Sequence, residues 1–288
     1  MDKRYLFIHN PISGGAKSNF VVAFEKNKYL YPSHAIITTT HVGHAKELAR
    51  QYKNEYDVIA AVGGDGTINE IASELVHTNT QMGVIPVGSA NGLAFHLGIP
   101  MEVEAALHKL KAGTEKPIDV IEMGDRVFVN VAGVGYDGHI NTLFNQTKLR
   151  GLWSYAKLVF TEYMRYKEFE FTLVADEVQY SGKAFFIVFA NTTQYGHNFH
   201  IAPNANTEDG ILHVTLVRKP PFIFVPYLLR QVFKGKALDS KYCTEVAGKE
   251  VTLHYTNQAL HLDGEIPLDK NEKELHFKVL QGVLKVVC

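Results

Sequence analysis

Short apolar runs recur along the first half of the chain, each closed by a turn and followed by a helical period. Tyr5-Leu6-Phe7-Ile8 is stopped by Asn10-Pro11, with Ser13-Gly14-Gly15 beyond it, which predicts a buried strand and a turn. Phe20 to Phe24 predicts a helix, Ala35 to Thr39 a second strand and His44 to Tyr52 a second helix. Val58 to Val62 is a third strand, broken by Gly63-Gly64-Asp65-Gly66. Ile68, Ile71, Ala72, Leu75 and Val76 then recur on one helical face. Met82 to Val87 predicts a fourth strand and Val103 to Lys111 another helix. Strands alternating with helices predict a mostly parallel sheet covered on both faces.

The pattern changes near Ile118. From Val120 the chain is strand-rich: Val127 to Val131, Glu170 to Val174, Phe185 to Ala190, Ile211 to Val217, Val251 to Tyr255, Glu274 to Leu280 and Gly282 to Val287. Turn signals such as Asp209-Gly210 and Asp263-Gly264 separate several of these runs. One helical insertion, about Trp153 to Tyr166, interrupts them. The expectation is an α/β domain over 1–118 and an antiparallel all-β domain over 119–288, a sandwich or open barrel, with the extreme C-terminus free to return to the first domain.

Composition narrows the function classes. The 288 residues carry 29 Lys and Arg against 30 Asp and Glu, a net charge of −1, so bulk charge would not hold the chain on nucleic acid. Cys243 and Cys288 form neither a zinc pattern nor a disulfide framework, which fits a reducing, cytoplasmic compartment. The N-terminus lacks a signal-peptide core, and the most apolar long run, Pro220 to Phe233, holds three prolines and Arg230. That run suits contact with a membrane, not a crossing.

Val62-Gly63-Gly64-Asp65-Gly66-Thr67 is the strongest local signal. It closes a parallel strand at the edge where ligands of open sheets bind, and opens a helix whose N-terminus favours an anion. Glycines let a phosphate approach the backbone and permit positive φ. A tight strand–helix turn with a Thr67–Glu70 capping box explains the same residues without a ligand. Recurrence tips the balance: Ser13-Gly14-Gly15 follows the first strand and Gly88-Ser89-Ala90-Asn91-Gly92 the fourth, so three small-residue turns share one edge. None of them forms a Walker A loop or a G-x-G-x-x-G fingerprint.

Asn10-Pro11 with Ser13-Gly14-Gly15, Gly63-Gly64-Asp65-Gly66-Thr67 with Asn69-Glu70, and Pro86-Val87-Gly88-Ser89-Ala90-Asn91 together resemble the diacylglycerol kinase catalytic-domain family. That family includes bacterial lipid kinases, sphingosine kinases and ceramide kinases. The resemblance implies an α/β nucleotide domain, a β-sandwich domain and an active site in the cleft between them. It places ATP near Asn10, Pro11, Ser13 and Gly14, near Gly63, Gly64, Asp65, Gly66, Thr67, Asn69 and Glu70, and near Thr39 and Ser89. His44 stands where relatives usually have an aspartate, and Gly92, where many have aspartate, is closer to the sphingosine-kinase branch.

Leu262-Asp263-Gly264-Glu265 reads on its own as a hairpin turn. By resemblance it is the Asp-Gly-Glu motif that supplies the catalytic base, with Glu265 favoured and Asp263 in an orienting or metal-binding role. The resemblance also implies a structural magnesium at Asp209, with backbone oxygens from Asn206 and Ile211, and gives Asp65 as a contributor to the magnesium on ATP. His41/His44 and His197/His200 have a three-residue spacing, but neither pair forms H-E-x-x-H. No G-x-S-x-G nucleophile elbow occurs. The expected activity is ATP-dependent phosphorylation of a lipid alcohol such as diacylglycerol or a sphingoid base, with Mg2+, at a peripheral membrane surface, by a monomer or a homodimer. A soluble-substrate kinase of the NAD kinase type and a non-catalytic nucleotide- or lipid-binding regulator stay open as alternatives.

Overall fold

A computed structural model of the chain describes residues 2–14, 19–146, 152–256, 258–264 and 273–288. The first half runs β1 (Tyr5–His9), α1 (Phe20–Asn27), β2 (His34–Thr38), α2 (His44–Tyr52), β3 (Val58–Gly63), α3 (Asp65–Leu75), β4 (Gln81–Pro86), α4 (Gly92–His96) and α5 (Val103–Ala112). The second half continues with β5 (Glu115–Met123), β6 (Arg126–Phe128), β7 (Val131–Gly135), α6 (Tyr136–Gln146), α7 (Leu152–Arg165), β8 (Phe169–Ala175), β9 (Val178–Ala184), β10 (Phe186–Ala190), β11 (Leu212–Val217), α8 (Val225–Phe233), β12 (Cys243–Gly248), β13 (Glu250–Tyr255), β14 (Leu260–Leu262) and β15 (Glu274–Val287).

Strands β2, β1, β3 and β4 lie side by side in parallel. Every residue of β3 is buried, as helices on both faces require, whereas edge strand β2 alternates exposed and half-buried positions. The sheet does not end at β4. The C-terminal strand β15 lies beside it through the Val286–Met82 pair and continues the sheet antiparallel into β5 and β13, then β8 and β9. A second, antiparallel sheet in the order β12-β11-β10-β7-β14 packs on this extension. Phe128, Phe189 and Phe277 fill the space between the two, Phe189 and Phe277 stacking with centroids 4.0 Å apart. The architecture is thus an α/β half joined to a β-sandwich half, as the hydrophobic pattern predicts.

The differences from the pattern have local causes. The two runs expected at Glu274–Leu280 and Gly282–Val287 are one strand, bent where Gly282 takes φ +63°. Buried Asp119 of β5 holds that bend by accepting the Gly282 N–H at 2.8 Å, and its other oxygen accepts from Gly210 at 2.6 Å. The run expected over Val127–Val131 breaks at Val129–Asn130, because a carboxylate rather than a strand takes those N–H groups. β9 and β12 escape the apolar pattern: β9 is an exposed polar strand paired with β8 alone, and β12 alternates weakly.

Candidate active site

The three small-residue turns gather at the carboxyl ends of β1, β3 and β4. Asn10 ends β1: its N–H donates to the Val62 carbonyl at 2.9 Å, and its side-chain amide donates to Thr67 Oγ1 at 3.0 Å. Asn10 Oδ1 accepts the Ile12 N–H at 3.1 Å and so shapes the turn through Pro11, Ser13 and Gly14, where Gly14 takes φ +75°. Thr39, buried at the end of β2, donates its N–H to the His9 carbonyl at 2.8 Å.

None of Gly63, Gly64, Gly66 and Gly88 has positive φ; three of the four are required by close approach instead. A Cβ on Gly64 would stand 3.2 Å from Gly88 Cα, one on Gly88 would meet Asn91 Oδ1 at 2.7 Å, and one on Gly63 would meet the Thr67 methyl at 2.8 Å. Backbone therefore crosses backbone where the β3 and β4 turns touch. Asp65 locks them together. Its carboxylate accepts the N–H groups of Asn91 at 2.8 Å and Gly92 at 2.9 Å, and burial raises its pKa against those two bonds. Asn91 takes φ +56° and returns its side chain to Gly88, donating to the Gly88 carbonyl at 2.8 Å and accepting its N–H at 3.1 Å.

The expected capping box is absent. Helix α3 begins at Asp65 with no side-chain cap, which leaves its N-terminal turn directed at the crevice. Glu70 instead caps the neighbouring α2, accepting from Gly43 at 2.9 Å, Ala45 at 3.0 Å and Lys46 at 3.3 Å. Its role is to fix the loop before α2, where His44 Nδ1 accepts the Thr40 N–H at 3.0 Å and its ring stacks on His41.

Asp263 lies opposite this edge. It is buried at φ +47°, and its carboxylate accepts four N–H groups: Val129 at 3.0 Å, Asn130 at 3.0 Å, Val131 at 2.9 Å and the Asn69 amide at 2.8 Å. Burial raises the carboxyl to about 6, the N–H donors pulling the other way. Asn69 donates also to the Val127 carbonyl at 2.9 Å, tying α3 to the sandwich half. Glu265 lies outside the described residues, as does Gly15.

Two features were not anticipated from the sequence. First, buried His261, two residues before Asp263, donates from Nε2 to Asp137 at 2.7 Å, and Tyr195 donates its hydroxyl to the same oxygen. Burial works against the Asp137 charge, but His261 and Tyr195 outweigh it and hold the carboxyl below its ordinary range. Gly264 donates its N–H to His261 Nδ1 at 3.3 Å, which links the pair to the Asp263-Gly264 turn. The signal that could have found Asp137 is its place after Gly133-Val134-Gly135-Tyr136, where a strand of small residues turns into a helix. Second, the Ser89 turn is clasped from the other half: the Ser89 carbonyl accepts from His197 Nε2, and Asn91 forms a bridge with Gly196. His197 is therefore engaged with backbone, not paired with His200 on a metal.

Asp209 sits apart from the crevice. Its Oδ1 accepts the Ile211 N–H at 3.0 Å, and Asn206 Oδ1 accepts from Glu208 at 3.2 Å, beside the bend that Asp119 holds. His213 lies 3.4 Å from Asp209 and 3.3 Å from Glu245; burial opposes its charge, but the two carboxylates raise its pKa. Carboxylate and backbone carbonyl oxygens, the donor types expected from Asp209, Asn206 and Ile211, are the types a hard cation takes. Among the described residues no group of three or more His, Cys, Asp or Glu is arranged to hold an ion.

Comparison with known proteins agrees with this geometry. Residues 4–123 match the model of the diacylglycerol kinase catalytic domain, and residues 130–288 that of the YegS C-terminal NAD kinase beta sandwich-like domain. The chain is 29% identical to a diacylglycerol kinase of Bacillus subtilis, over 91% of this chain and 90% of that one. It is 30% identical to a probable YegS-like lipid kinase of Yersinia enterocolitica, over 77% and 78%. A crystal structure of a putative diacylglycerol kinase from Bacillus anthracis shares the fold, with a TM-score of 0.81 at 20% identity, covering 99% of this chain and 95% of that one. With both halves matched in order and the crevice formed where they meet, the chain belongs to the diacylglycerol kinase and YegS-like lipid kinase family.

Proposed function

We propose that the protein transfers the γ-phosphate of ATP to the hydroxyl of a lipid alcohol, with residues 1–118 holding the nucleotide and 119–288 the acceptor. The observation that carries this reading is the Asn69–Asp263 hydrogen bond, because it joins the helix that opens at the glycine turn to the turn that precedes Glu265. ATP phosphates would lie along Asn10–Gly14, Gly63–Thr67 and Ser89, against the uncapped start of α3. Asp65 is half-buried and accepts one N–H on each carboxylate oxygen in joining two turns, so it contributes to the nucleotide site first through the shape of the loop.

Phosphoryl transfer needs positioning, charge stabilisation and an acceptor for the hydroxyl proton. Asp263 accepts four N–H groups and has no lone pair to spare for a proton in flight, so its role is to fix the turn. Glu265 would be the base. Asp137 and His261 hold the Gly264 backbone from the other side. Mg2+ bound with ATP would neutralise developing phosphate charge, and a structural ion would sit at Asp209 with the Asn206 and Ile211 carbonyls. The lipid alcohol would reach the cleft from a membrane surface, with the protein in peripheral, transient association in the cytoplasm; among the described residues no helix is long and apolar enough to cross a bilayer.

The deciding experiment incubates the protein with γ-labelled ATP, Mg2+ and a mixed lipid extract, in parallel with NAD. Label in a lipid product supports the reading. Label in NAD alone would favour the soluble-substrate alternative, to which the description of the second matching domain gives some ground. ATP binding with no labelled product would favour a non-catalytic regulator.

A further inference from the structure

We propose that the face built from residues 222–233 and the end of α7 docks on an anionic phospholipid bilayer. The inference deepens the lipid-kinase reading, and rests on it for its purpose, but the surface itself is argued from exposure and charge.

Phe222, Ile223 and Phe224 are consecutive and 48%, 80% and 44% exposed, and Tyr227 and Phe233 are 46% and 54% exposed. These are not the buried stripe of α8. Leu228 and Val232 supply that stripe, packing on the sandwich half, so α8 is apolar on its outward side as well. The patch is continuous with α7: Phe160, itself 54% exposed, meets Phe222 edge to face at 5.3 Å. Single exposed apolar side chains are ordinary, but a contiguous group rimmed by polar residues marks an interaction surface.

Charge selects the partner. Residues 218–241 hold six basic side chains, Arg218, Lys219, Arg230, Lys234, Lys236 and Lys241, against one carboxylate, Asp239, a local net of +5 in a chain whose total is −1. Five of the six are exposed, and among the described residues none of those five is in an ion pair; Lys219 turns inward to the Tyr166 carbonyl. Lys241 lies 5.7 Å from the Phe224 ring centroid, a cation over an aromatic at the rim. Aromatic and aliphatic groups flanked by lysine and arginine suit the boundary between acyl chains and anionic headgroups. A protein partner would need an acidic rim of matching outline, whereas a bilayer supplies apolar depth and negative charge together.

The face also leads to the candidate active site. Phe233 packs on Phe199 at 5.5 Å, Phe199 on Tyr195 at 6.0 Å, and the Tyr195 hydroxyl donates to Asp137. From the α7 side, Tyr163 donates to the Pro220 carbonyl. Docking would therefore set the acceptor half of the cleft on the membrane.

The test is cosedimentation of the full chain with phosphatidylcholine vesicles, with and without phosphatidylglycerol, for wild type, Ile223→Ser/Phe224→Ser and Lys234→Glu/Lys236→Glu. Wild type should sediment with the anionic vesicles and be released by salt. The apolar double variant should stay in the supernatant with an unchanged melting temperature. The charge variant should bind at least about fivefold more weakly per residue changed. Wild type left in the supernatant, or both variants sedimenting like wild type, would overturn the proposal, and equal binding to neutral vesicles would overturn its anionic part. A dimer in gel filtration that the apolar variant dissolves, without vesicle binding, would give the face to a second copy. Turnover is read separately on a short-chain lipid alcohol dispersed as monomers: both variants should keep wild-type rates there, and a loss there would overturn the docking role. A wild type that binds vesicles but phosphorylates no lipid would remove the kinase reading and leave the docking surface standing.

Discussion

Asn69 and Asp263, separated by 194 positions in the chain, meet at 2.8 Å where the two halves of the molecule face each other. The amide of Asn69 is shared between the Asp263 carboxylate and the Val127 carbonyl, so one side chain fixes both the turn before Glu265 and the approach of β6. Replacement by leucine would leave the Val127 carbonyl without that donor, at about 1–3 kcal/mol if fully unsatisfied, and the Asp263 oxygen with the Val129 N–H alone. Asn69→Leu should lower the melting temperature and reduce turnover more than ATP affinity. Thermal melts and calorimetry on one preparation check both.

Gly88→Ala should abolish ATP binding in a folded protein. Its Cβ would drive into Gly64 backbone and stand 2.7 Å from Asn91 Oδ1, and neither can yield without separating the β3 and β4 turns. Gly64→Val should act in the same direction through the 3.2 Å approach to Gly88. A folded Gly88→Ala protein with unchanged ATP affinity would take these turns out of the nucleotide site.

These two contacts mark what the sequence could and could not disclose. Apolar runs followed by glycine are local signals, so β1, β3, β4 and the turns after them were legible. Positive φ was the wrong reason for the glycines at β3, because the need for Gly64 lies in Gly88, and backbone approach between distant turns has no local pattern. The same holds for Glu70, whose spacing from Thr67 suggests a capping box while its carboxylate serves α2. Asp263 was legible as part of an Asp-Gly turn, but not its four N–H donors, which come from 129–131 and Asn69. The Asp137–His261 pair was invisible for that reason too: 124 positions separate its members.

Glu74 ties α3 to α2 through Arg50 at 2.8 Å and Lys53 at 3.4 Å. The Arg50 hydrogen bond foremost, then Lys53, lowers its pKa from the ordinary 4.5, with burial working the other way. A folded-state pKa below the unfolded one contributes stability that is present above the unfolded value and lost as pH falls through the folded value. Glu74→Gln should therefore melt a few degrees below wild type at neutral pH, with the gap closing on the acid side of 4.5. A gap that stays constant down through the acid range would show that shape rather than charge holds α2 to α3 there.

His261 should act on the rate through the backbone it holds. His261→Gln would lose the Gly264 contact at Nδ1 and loosen the turn before Glu265. Misplacing a reacting group by about an ångström is worth on the order of 100-fold. The expectation is a fall in kcat of about 10- to 100-fold with the KM for ATP unchanged. Asp137→Asn should give a similar fall, and the double variant little more than either alone, since the two side chains act as one unit. Additive losses would separate them into independent roles.

The proton acceptor separates the two carboxylates of the Asp-Gly-Glu sequence. Asp263 is saturated by N–H donors, so Asp263→Asn would set an amide N–H2 against at least one of them and disturb the loop at 129–131. Its loss should appear first as lowered stability, with activity falling in proportion to the folded, ordered fraction. Glu265→Gln keeps size and hydrogen-bonding reach but cannot take a proton. If Glu265 is the base, its variant should keep the wild-type melting temperature and ATP affinity while kcat falls by about 100- to 10,000-fold. Measuring melting temperature, ATP affinity and kcat on both variants distinguishes structural from chemical loss. A large fall in kcat confined to Asp263→Asn, at unchanged stability, would transfer the base to Asp263 and require one of its four N–H bonds to open during the reaction. Near-wild-type turnover in both variants would mean that the acceptor hydroxyl loses its proton elsewhere, and the assignment of this turn to the chemistry would fall.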